Sequence, residues 1–63
     1  MSVLAELSSV ATGLDEMTQR ITALATGLTG AEAEALSSDL FEVERALGTA
    51  SRRLSRILDA HRT

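Results

Sequence analysis

The sequence predicts an all-α fold: an antiparallel two-helix hairpin with a heptad seam, expected to dimerise into a four-helix bundle. Three observations lead there. The 63 residues include ten Ala and ten Leu, a single aromatic (Phe41) and no Pro, a composition of helix formers. Apolar residues recur in two successive 3-4 series, and one short glycine-containing break separates the series.

The first helix is expected over about 2–27. Val3, Leu7, Val10, Leu14, Met17, Ile21, Leu24 and Leu28 alternate spacings of four and three, which assigns Leu7, Leu14, Ile21 and Leu28 to heptad position a and Val3, Val10, Met17 and Leu24 to d. The turn falls at 27–30. Gly27 is expected to end the first helix in a left-handed conformation, and Thr29 to cap the second, with Glu32 completing a capping box. The second helix, over about 30–61, repeats the series with Ala33, Leu36, Leu40, Val43, Leu47, Ala50, Leu54, Ile57 and His61. Joined by so short a connection, the helices must run antiparallel.

A hinge between Leu28 and Thr29 pairs Val3 with Leu54, Leu14 with Val43 and Leu24 with Ala33, among seven layers of which none is polar. It also sets Glu6 opposite Arg53, Arg20 opposite Asp39, and Gly13 opposite Ala46. Gly13 is then explained by close approach of the helices, whereas Gly48 has no evident role. Beyond the seam, the e positions are small or weakly polar except for Glu44 and the terminal leucines, which widens the apolar stripe as a helix with two neighbours requires. The oligomer interface is therefore expected at Leu4, Leu7, Ala11, Leu14, Leu47, Ser51, Leu54, Ile57 and Leu58. In this register Ile57, Leu58 and His61 project past the start of the first helix.

A chain this short supports little core of its own, and the absence of Cys removes disulfides as a remedy. One His, without Cys, leaves no zinc set, and the acidic residues lack both calcium-loop spacing and an inward Glu-x-x-His arrangement. No metal or cofactor is expected. Fourteen Ser and Thr residues accompany only one His and no Lys, and two helices enclose no pocket, so catalysis is not expected either. Association with another chain, most simply a homodimer, is the expected source of stability. The sequence contains no apolar run of membrane-spanning length and no signal-peptide pattern, and a soluble cytoplasmic protein is expected.

Net charge is −3, unevenly distributed. Residues 1–44 carry eight acids against Arg20, whereas residues 45–63 carry five Arg against Asp59. Arg45, Arg52 and Arg56 share an outward face, with Phe41 on its edge and Arg53 nearby. Phe41, Arg45, Arg52, Arg53 and Arg56 form the candidate partner face. Arginines near a helix C-terminus also favour the macrodipole, and a charged outer face is ordinarily just solvated. His61 is read as a packing or helix-end residue. The function expected is that of a non-enzymatic adaptor or scaffold, self-associating through the seam and e flank and showing its Phe/Arg face to a protein. The second reading is a small nucleic-acid-binding dimer using the arginines, against which the acidic first helix counts.

Overall fold

The computed structural model describes residues 2–61 and consists of helices α1 (Val3–Gly27) and α2 (Gly30–Ala60), which pack against each other as a hairpin. Arg62, counted in the basic segment, lies outside the described residues. The molecule measures 49 × 17 × 12 Å, so its length is essentially that of α2.

Ser2 starts α1. Its backbone is extended (φ −82°, ψ 135°), and its Oγ accepts hydrogen bonds from the amides of Leu4 (3.2 Å) and Ala5 (3.4 Å). Two of the amides that a helix N-terminus leaves without helical partners are thereby satisfied. Along α1 the hydroxyls of Thr12, Thr18, Thr22 and Thr26 each donate to the carbonyl four residues earlier. Thr18 can therefore face the other helix without an unpaired hydroxyl.

The turn departs from the sequence expectation. Gly27 remains helical, and the left-handed residue is Gly30, at φ 63°. Leu28 and Thr29 between them are extended. Thr29 occupies the N-cap but makes no side-chain cap hydrogen bond, so no capping box forms with Glu32. The physical reason is local: such a box needs helical dihedrals just after the cap, and a positive φ at Gly30 turns the first amides of α2 away from the Thr29 hydroxyl. At the other end the His61 amide donates to the Ile57 carbonyl (3.2 Å) and closes the last turn.

The helices also meet along a different stripe. Shielding falls on positions a and e: Leu7, Ala11, Leu14, Thr18 and Ile21 of α1 are half-buried and Ala25 is buried, facing Ala33, Ser37, Leu40, Glu44, Leu47, Ser51, Leu54 and Leu58 of α2. The large d residues Val3, Val10, Met17, Leu24, Leu36, Val43 and Ile57 remain 44–73% exposed, and among the described d residues only the small Ala50 is half-buried. Residues a and e recur at four and three just as d and a do, so either pair can close a hairpin. Here the smaller flank closes it and the contact includes Ser37, Glu44 and Ser51, in contrast to the wholly apolar layers expected.

The register is shifted as well. A hinge between Leu28 and Thr29 sets Asp15 against Glu42 and Leu4 against Arg53, whereas the structure bonds Asp15 to Ser51 and places Leu4 beside Leu58 and His61. Part of the shift follows from geometry, because helical side chains lean toward their own N-terminus and so meet partners further along an antiparallel neighbour. Leu58 and His61 accordingly lie against the first turn of α1 and do not overhang it. Glu6, Arg20, Asp39 and Arg53 are exposed, and among the described residues they form no ion pairs with one another. A Cβ added to Gly13 would meet nothing within 4 Å, so close helix approach does not account for that glycine.

Candidate functional site

The two sides of the hairpin differ in chemistry. Positions b and f of both helices lie on one side; d lies at the centre of the other and g along its edges, because e and a are turned inward.

On the first side, Thr18, Phe41, Glu44, Arg45, Gly48 and Arg52 line a shallow groove. Phe41 is 55% exposed in it. The Arg52 guanidinium folds back along α2, where Nη2 donates to Thr49 Oγ1 (3.2 Å) and Nη1 lies 3.5 Å from the position a Cβ on Gly48 would take. That separation is ordinary van der Waals contact, so a Cβ at position 48 would fit beside Arg52. Arg45 is one residue after Glu44, whose Oε2 is shielded from solvent without a hydrogen-bond partner. A shielded carboxylate oxygen with no donor is costly, and the adjacent guanidinium groups place positive charge on the same groove.

The structure therefore gathers Phe41, Arg45 and Arg52 from the expected partner face. It does not gather all five residues: Arg53 lies along another strip of α2 with Glu42, Arg45, Ala46 and Thr49, and Arg56 is exposed outside the groove. Thr18 and Glu44 were not legible as groove residues, because both stand at e, a position assigned by spacing to contact with another chain. A glycine inside a helix, four residues before an arginine, was the one available signal for Gly48.

Of the residues expected at an oligomer interface, Leu7, Ala11, Leu14, Leu47, Ser51, Leu54 and Leu58 are half-buried along the hairpin's own contact, Leu4 is 38% exposed and Ile57 44% exposed. Side chains available to a second chain are instead concentrated at d, in a stripe that runs the length of both helices.

His61 shares a groove with Leu4, Ala5, Ser8 and Leu58, none of which is acidic. Among the described residues no three His, Asp or Glu side chains gather where they could hold a metal ion, and no helix is long and apolar enough to cross a membrane. The fold and these surfaces define a two-helix all-α hairpin with one apolar and one mixed aromatic-basic face. Compared with protein-family models, curated proteins and solved structures, the chain matches none.

Proposed function

We propose that the protein is a non-enzymatic helical-hairpin interaction module, an adaptor or scaffold that self-associates and offers its Phe41 groove to a protein partner. The observation that supports this reading is the presence of uncovered apolar side chains on both sides of the hairpin, a long stripe on one and Phe41 on the other. Large exposed apolar patches on small domains mark contact sites. The two sides suit different roles: the stripe is long and lacks charge at its centre, whereas one aromatic side chain and two arginines line the same groove. Aromatic and arginine side chains are those that most often anchor protein interfaces, and Arg45 with Arg52 favours a partner with carboxylates around an apolar anchor.

Crosslinking in the protein's own cells, followed by identification of the joined chains, tests the reading. The native chain is expected to yield a defined partner that the Phe41→Ser, Arg45→Glu, Arg52→Glu variant loses, with unchanged self-association. Identical crosslinking by both chains would overturn the partner face. Binding of RNA or duplex DNA, weakening steeply with salt, would support the nucleic-acid reading instead.

A further inference from the structure

We propose that a second copy of this chain lies face to face on the d stripe, and that the charges along the stripe's edges make this copy the complementary occupant. The proposal rests on the self-association just described and assigns it a face.

The exposed area supports this. The hairpin exposes 4957 Å², whereas a folded monomer of 6.7 kDa ordinarily exposes about 3,900 Å². The excess, about 1,000 Å², is comparable to the ~800 Å² that each partner buries in a standard interface. The stripe is also the place where that area is apolar, from Val3 to Leu24 on α1 and from Leu36 to Ile57 on α2.

Charge then points to the occupant. Of the charged residues at g beside the stripe, Glu6 and Arg53 stand toward the open end of the hairpin, Arg20 and Asp39 toward the turn, and Glu32 at the turn itself. Around the four corners Glu6, Arg20, Asp39 and Arg53 the signs alternate, while Glu32 lies beyond Asp39 and would face Gly27 or Ala60 of a second copy. A partner surface of one sign would meet like charge at two corners. A second copy does not. If the two-fold axis runs along the helices, Glu6 meets the partner's Arg53 and Arg20 the partner's Asp39. If the axis runs across them, Glu6 meets the partner's Arg20 and Asp39 the partner's Arg53. Both arrangements are isologous, oppose unlike charges and complete a four-helix bundle. None of the four makes an ion pair with another within the chain among the described residues, so all four are available.

Sedimentation equilibrium of the full chain at low salt is the test. The native chain is expected to be dimeric at micromolar concentration, and Val10→Glu with Met17→Glu to weaken dimerisation at least a hundredfold. The exposed Arg53→Glu change, repeated twice by symmetry, is expected to weaken it about tenfold. Adding Asp39→Arg restores affinity if the axis runs across the helices; adding Glu6→Arg restores it if the axis runs along them. Rescue by neither, or a dimer indifferent to the Val10 and Met17 changes, overturns this face while leaving self-association standing. A native chain that is monomeric overturns both.

Discussion

The Ser51 hydroxyl donates a 2.7 Å hydrogen bond to Asp15 Oδ1, joining α2 to α1 across 36 residues of sequence. It is a charge-assisted contact from an e position to a b position, and only the observed rotation and register bring the two together. Asp15→Ala and Ser51→Ala are each expected to lower stability by about 1 kcal/mol in urea denaturation at fixed protein concentration. A double variant no worse than either single would identify the loss as that of the shared bond; full additivity would show that the bond contributes nothing.

Gly30 and Gly13 are expected to respond oppositely to alanine. At φ 63° Gly30 occupies a conformation that costs an L-residue ~1–2 kcal/mol, so Gly30→Ala should lower the thermal midpoint. Gly13 is helical with open space around it, and Gly13→Ala should raise stability by ~0.5–1 kcal/mol. A loss at Gly13 would reveal a close contact that one hairpin does not contain.

Removal of the Ser2 cap provides a third expectation. Ser2→Ala leaves the Leu4 and Ala5 amides without their side-chain acceptor and should cost ~1 kcal/mol, whereas Ser2→Asp should largely preserve stability. Amide hydrogen exchange in the first turn of α1 is the direct measurement: faster exchange in the alanine variant only.

Glu44 is expected to be a position where the native residue is not the most stable one. Its Oε2 is shielded and unpartnered within the helix contact, so Glu44→Gln, which removes the charge and keeps the shape, should stabilise the hairpin by ~1 kcal/mol. Destabilisation by Gln would mean that the carboxylate has a partner, which the groove beside Arg45 would then have to supply.

The heptad spacing of Val3 through Leu28 and of Ala33 through Ile57 makes two antiparallel helices legible in the sequence alone. The corners of the g edges were legible too, but as intrachain pairs: Glu6 with Arg53 and Arg20 with Asp39. The position of the left-handed glycine was not legible, because Gly27 and Gly30 flank the same break and both carry the required freedom. Nor was the Phe41 groove, which takes Thr18 from α1 and Glu44 from α2, positions that spacing alone assigned to contact with another chain.

What residue order settles is periodicity: a wide stripe of d, a and e on each helix, and a break too short for anything but antiparallel return. The stripe is wider than one neighbouring helix can cover, so periodicity cannot say which flank faces inward. Packing decides that. The smaller e side chains close the hairpin, the leaning of side chains toward each helix N-terminus shifts the register, and the large d residues from Val3 to Ile57 are left on the outside.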